Sequence, residues 1–168
     1  MPFMDINGPI VADTVYVNNK LVAKDVAITL PEVTPTAVDV EATGTMSLPL
    51  WQRLENMEYT ITKIGFDMGL AAMIAVNPTP IECRFVQDVT DANGNTRQVG
   101  CKAFLKGVAS VIPGFELTPG ESSENEMTMN ALRYQLFVDG KEVFLIDRIA
   151  GIVKINGVDY MQTTNSLL

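Results

Sequence analysis

Three dipeptides constrain this chain more than anything else in it: Asn18-Asn19, Asp139-Gly140 and Asn156-Gly157. Each joins two residues that tolerate positive φ, the requirement of a two-residue type I′ hairpin turn. Each is flanked by short runs in which apolar and polar residues alternate, the pattern of a half-buried strand. Thr14-Val15-Tyr16-Val17 leads into the first turn and Lys20-Leu21-Val22-Ala23 leaves it. A tight turn there sets Val15 opposite Val22 and Tyr16 opposite Leu21. In the second hairpin, Leu132–Val138 and Lys141–Asp147 pair so that Val138 meets Lys141, Leu136 meets Val143 and Tyr134 meets Leu145. In the third, Ile155 meets Val158, and Lys154 faces Asp159 with opposite charge.

Further strands are predicted over Val26–Leu30, Met57–Ile64, Ile81–Phe85 and Gln98–Ile112, with a turn over Asp91–Asn95. Gly65–Ala75 reads as a short helix, capped by Asp67 and stopped by Asn77-Pro78. It is apolar nearly all round, so it must be covered, either by a sheet or by a neighbouring subunit. No strand alternates with a helix. The prediction is a mainly β fold, an antiparallel β-sandwich or barrel with one short α-helix.

Residues 31–50 differ in character. Pro31, Pro35 and Pro49 punctuate them, yet Val33, Val38, Val40, Met46 and Leu48 alternate with polar residues. A long segment of this kind is an extended arm, reaching either another chain or its own domain. Thr118–Glu126 is a solvated acidic loop, since its three Glu lack the spacing of a calcium loop. Met161–Leu168 loses periodicity and reads as a tail.

Composition narrows the chemistry. The 168 residues form one domain and carry 20 acidic and 12 basic side chains, a net charge of −8. No basic stripe for counterion release is evident, which excludes a nucleic-acid-binding reading. Charged residues are only 19%, below the usual share of about a quarter. That leaves neutral surface for partners. There is no His, and therefore no Ser-His-Asp triad. Neither a nucleophile elbow nor a phosphate loop is present. The sequence calls for no catalytic residue, metal or cofactor. Cys83 and Cys101 flank the Asn93-Gly94 turn and read as two reduced thiols, a disulfide being the lesser reading. Trp51 is a packing residue or an interface anchor. Met1–Ile10 shows no leader pattern, and no run reaches the ~20 apolar residues of a membrane span.

A sandwich without catalytic signals still has edges, and exposed edges recruit other chains. Heterologous edge pairing closes as a ring when the rotation permits.

The last third carries an ordered set of motifs: Tyr134-Gln135-Leu136, Asp139-Gly140-Lys141-Glu142, Ile146-Asp147, and Asn156-Gly157-Val158-Asp159. It resembles the close of the major tail tube proteins of contractile-tailed phages and R-type bacteriocins. The resemblance extends loosely to Leu30-Pro31, the arm after it and the acidic loop. The neutral ending Asn165-Ser166-Leu167-Leu168 departs from the basic one common in that family.

The resemblance implies hexameric rings stacked into a hollow tube inside a contractile sheath. Such a tube conducts viral DNA or punctures an envelope. Its partners are further copies of itself, the sheath, and baseplate or initiator proteins, assembled in a bacterial cytoplasm into a virion tail or related particle. The acidic balance fits a lumen that repels DNA. Candidates for ring-to-ring contact are Val33, Val38, Val40, Met46 and Leu48. Candidates for the subunit edge are Leu136, Val138, Val143 and Leu145, on the strands flanking Asp139-Gly140. The competing readings are a type VI secretion tube-like protein and a ligand-binding β-sandwich module. The module predicts a clustered aromatic platform, whereas aromatics are 7% and scattered.

Overall fold

In the computed structural model, residues 5–74 and 76–168 are described, and they form twelve strands and two short helices. Residues 1–4, which open the stretch read for a leader, and Ala75, the predicted end of the helix, lie outside them. In chain order the elements are β1 Ile6–Val17, β2 Lys20–Lys24, β3 Ala27–Thr29, β4 Pro35–Glu41, β5 Thr45–Leu54, β6 Glu58–Ile64, α1 Met68–Met73, β7 Thr79–Thr90, β8 Thr96–Val111, β9 Glu124–Val138, β10 Lys141–Asp147, β11 Ile152–Ile155, β12 Val158–Asp159 and α2 Gln162–Leu167.

The turn dipeptides do what their chemistry requires. Asn18 and Asn19 sit at φ 50° and 63°, Asp139 and Gly140 at 51° and 74°, and Asn156 and Gly157 at 50° and 85°. From these hairpins an antiparallel path is built in the order β12-β11-β10-β9-β8-β7-β1-β2. It forks at β9, whose first half pairs with β6, and β6 pairs in turn with β3. The sheet does not close into a barrel.

The fork brings two layers face to face. Tyr59 and Ile61 of β6 and Met127 and Met129 of β9 meet Val15, Ile81, Cys83, Ala103 and Leu105 across the core, and all are buried. Each fully buried large side chain contributes roughly 1.5–3 kcal/mol. The Tyr59 hydroxyl donates to the Met129 sulfur at 3.3 Å. Helix α1 covers one side of the same core with Leu70 and Met73, both fully buried. Asp67 caps it as predicted, accepting from the Leu70 N–H at 2.9 Å. The Lys63 ammonium beside it, together with that N–H, holds the Asp67 carboxyl below the usual carboxylate range.

Two registers depart from expectation, both through bulges. Val15 pairs with Ala23 rather than Val22, because an extra residue sits in β2 before Tyr16 meets Leu21. The second bulge matters more. Val138 pairs with Lys141 and Phe137 with Glu142, but Val143 is then skipped, so Leu136 meets Phe144 and Tyr134 meets Ile146. The Val143 carbonyl accepts instead from the Asn156 N–H at 2.8 Å, in the next hairpin. One inserted residue flips every later side chain. Phe144 and Ile146 therefore enter the core in place of Val143 and Leu145, and Phe144 packs edge-on against Tyr134 at 4.8 Å.

Element bounds also shift. Glu124, Asn125 and Glu126 belong to β9 rather than to the acidic loop. Asn125 is buried and donates to the Gly65 carbonyl at 2.8 Å. Residues 162–167 form helix α2 where a tail was expected. Its Asn165 donates to the Gly151 carbonyl at 3.0 Å. Both cysteines are unbonded and buried; Cys83 pairs with Ala103 and Cys101 with Phe85, so the two thiols are diagonal rather than opposite. Among the described residues no helix is long and apolar enough to cross a membrane.

Candidate assembly surfaces

The arm is a separate two-stranded sheet, β4 with β5. Its register sets Val38 opposite Leu48 and Val40 opposite Met46, so these four share one face. The other face carries Asp39 and Glu41 with Ser47 and Thr45. Alternation thus makes the hairpin amphipathic, but its own chain does not cover the apolar side. Val38, Val40, Met46 and Leu48 remain 43%, 38%, 48% and 46% exposed. Val33 behaves differently from its four companions: it is half-buried and packs against the core at the arm's root.

That root is fixed. The Glu55 N–H donates to the Thr34 carbonyl at 2.8 Å and closes the hairpin. The Arg148 guanidinium, from the turn between β10 and β11, donates to the Leu54 and Glu55 carbonyls. Sequence reasoning passed over Arg148, since a contact ninety residues away leaves no local mark. Trp51 is half-buried near the same root.

The strands flanking Asp139-Gly140 are not the edges of the sheet. β9 is paired by β8 on one side and by β6 and β10 on the other. β10 lies between β9 and β11. Their backbone groups are largely used, so Leu136, Val138, Val143 and Leu145 do not stand on a free edge. Leu136 packs against the core. The long path ends instead at β2 and at β12, and the branch through β6 ends at β3. The first half of β1 adds to the β2 side, because β2 reaches only Thr14–Val17 of it. Pro9 and two register shifts interrupt that stretch, a common way to blunt an edge.

Charge is divided between the layers. On the outward face of the long sheet, Arg84, Lys102, Lys106, Arg133 and Lys154 are interleaved with Glu82, Asp88, Glu142, Asp147 and Asp159. Ion pairs join Arg84 to Glu82, Arg133 to Asp147 and Lys154 to Glu142. The outward face of β3, β6 and the first half of β9 instead carries Glu58, Glu124 and Glu126 among Thr29, Thr60, Thr62 and Thr128. The net negative charge therefore lies mostly off the long sheet. Among the described residues no three metal-ligating side chains converge.

An open antiparallel sheet with free end strands, carrying an amphipathic hairpin its own chain leaves uncovered, defines a subunit made for assembly. Comparison of the sequence with known families specifies which: residues 10–168 match phage tail tube protein FII, and the chain belongs to that family of structural tail tube proteins. Its fold is similar to that of a chain in the cryo-EM structure of an extracellular contractile injection system, the PVC sheath-tube complex in the extended state. The TM-score is 0.51 at 14% identity, over 77% of this chain and 90% of that one. A chain of the PVC sheath/tube terminator gives a TM-score of 0.50 at 14% identity, over 77% and 95%. A chain of the anti-feeding prophage cap, the AFP tube-terminating cap, gives 0.51 at 15% identity, over 77% and 90%. Comparison with curated protein sequences gave no match.

Proposed function

We propose that residues 1–168 act as a single tail-tube domain whose copies close into hexameric rings, and that the rings stack into a hollow tube inside a contractile sheath. The role is structural and calls for no catalysis. Partners are further copies of the chain, the sheath, and the baseplate or initiator that templates the first ring. The tube belongs to a virion tail or related particle put together in a bacterial cytoplasm.

The observation that carries this reading is the arm. Four apolar side chains on one face of a projecting hairpin stay exposed in the isolated subunit. A contiguous apolar face of that kind marks an interaction site. Ring closure has support in the ends of the long path at β2 and β12, since pairing one end with the other of the next copy is heterologous and leaves neither of these two strands free. The charge-balanced face of the long sheet suits passage of a polyanion. A wall whose cations are matched by neighbouring carboxylates offers DNA no binding stripe.

The test is negative-stain electron microscopy of the concentrated protein, with its mass by light scattering, alone and with its baseplate proteins. Rings and hollow tubes are the expected result. Protein that stays monomeric even with its initiator present contradicts the proposal.

A further inference from the structure

The outward face of the long sheet is balanced in charge as a whole, but the balance fails at one point. Across β7, β8, β9 and β10 the row there reads Pro80, Lys106, Arg133, Asp147. Lys106 therefore has a proline on one side and a second cation on the other. Like charges directly opposite on paired strands repel, their Cβ atoms being only about 5 Å apart. Asp147 offsets little of this. One of its carboxylate oxygens lies 3.7 Å from the Arg133 Nε, and the other accepts from the Ile149 and Ala150 N–H groups at 3.0 and 2.9 Å. Glu82 is paired with Arg84. Among the described residues no carboxylate pairs with the Lys106 ammonium.

The two cations stand in the wall of a cleft of about 280 Å³, lined also by the Asn18-Asn19 turn, Pro80 and Phe104. The Asn18 N–H donates to the Pro80 carbonyl at 3.5 Å, which draws the turn against the start of β7. Both Asn side chains are exposed and carry uncharged amide donors. A second cleft lies against the same two cations, but Asp147 lines it, and a carboxylate there disfavours an anion. Lys102 is a natural control. It also faces an arginine, Arg84. That guanidinium is held by Glu82 and lies over the Tyr16 ring at 4.4 Å, and Lys102 is outside both clefts.

We propose that the cleft between the Asn18-Asn19 turn and the Lys106 and Arg133 pair binds one phosphate group, as inorganic phosphate or as the monoester of a small metabolite. An anion between the two heads replaces a repulsion by two attractions. Arg133 offers a planar fork and Lys106 a point charge, and the Asn amides donate to the remaining oxygens. Ligand sites begin at roughly 300 Å³, so this cleft suits a small anion rather than a polymer. A phosphate monoester carries about −1.5 to −2 at neutral pH, which matches two cations. A DNA diester carries a single charge per phosphate and needs a way out at both ends. Every residue of the site belongs to one subunit, so it does not depend on ring closure or stacking.

The test is equilibrium dialysis of the full chain against radiolabelled inorganic phosphate, at neutral pH and constant chloride. The wild type is expected to bind one phosphate per chain, and to melt higher as phosphate is added, since a ligand of the folded state stabilises it. Lys106→Gln should bind at least about tenfold more weakly, through loss of a charge-assisted hydrogen bond. Its melting temperature should not respond to phosphate. In phosphate-free buffer it should be as stable as the wild type, because the change removes a repelling charge. Lys106→Arg should keep the binding, and Lys102→Gln should match the wild type. No saturable binding by the wild type would overturn the site. Equal losses in Lys106→Gln and Lys102→Gln would overturn it too, by showing that surface charge at large attracts the ion. A single-stranded oligonucleotide with hydroxyl ends should fail to displace phosphate. Displacement would show that the cleft reads a diester backbone, against the small-anion assignment.

Discussion

Arg148 holds Leu54: its guanidinium donates to the Leu54 carbonyl oxygen at 3.1 Å, and to that of Glu55 at 3.3 Å. Two donors from one rigid planar group fix the direction in which the arm leaves the body. The site is exposed, so Arg148→Ala should cost the fold little, on the order of 1 kcal/mol. The arm should loosen much more. Trypsin is expected to cut after Arg53 faster in the variant, and tubes should be shorter. Arg148→Lys should fall between, since an ammonium does not reproduce the fork. Equal cleavage rates in all three proteins would show that the arm is oriented by other contacts.

The arm itself should be dispensable for folding. Its exposed side chains add nothing to the core, and its root is closed below them. Replacing residues 37–49 by a short Gly-Ser turn should leave the circular dichroism melt nearly unchanged and remove tubes from micrographs. A variant that melts much earlier would place the arm inside the folding unit.

Gly107 stands where the β8–β9 register shifts. A Cβ there would lie 2.4 Å from the Asn130 carbonyl oxygen and 3.1 Å from the buried Tyr59 ring. Neither a paired backbone nor a packed ring yields easily. Gly107→Ala should destabilise by about 1–3 kcal/mol or more. Gly100 lies on the same strand with nothing within 4 Å of its Cβ position, and Gly100→Ala should be neutral or mildly stabilising. Urea denaturation of the two variants checks the contrast.

Burial pushes the Cys83 thiol up to about 12 and the Tyr134 hydroxyl up to about 12. Both groups keep their protons in the folded state at a pH where the unfolded chain releases them. Their contribution is fully present below about pH 9 for the thiol and pH 10 for the phenol. It is lost as pH rises from there toward 12, because the unfolded state then binds fewer protons. Melting temperature should fall steadily above pH 9, and Cys83→Ala should flatten the first part of that fall. The same burial should keep Cys83 from reacting with a thiol reagent at pH 8 until denaturant is added.

The hairpin turns were legible because a positive φ is a local demand that a dipeptide meets. Asp67 was legible as a cap for the same reason: acceptor and N–H are three residues apart. The amphipathic face of the arm followed from simple alternation. The switch of Val143 and Leu145 for Phe144 and Ile146 was not legible, because a bulge whose carbonyl is taken by Asn156 depends on a neighbouring hairpin being in place. Val33 joined the core for an equally distant reason: the body it packs on is built from strands far along the chain.

What the sequence by itself determined was where the chain turns, which face of the arm is apolar, and that no histidine-based chemistry is available. Those are properties of neighbours in the chain, set by backbone sterics and side-chain alternation. Only the tertiary structure decided that β9 forks the sheet, so the strands beside Asp139-Gly140 are interior and the free ends fall at β2 and β12 on the long path and at β3 on the branch. It alone set the arm's root under Arg148. Which backbone edge is left unpaired, and which apolar groups are left uncovered, depends on what every other strand has already taken. Long-range pairing settles that competition, and no local window of residues contains it.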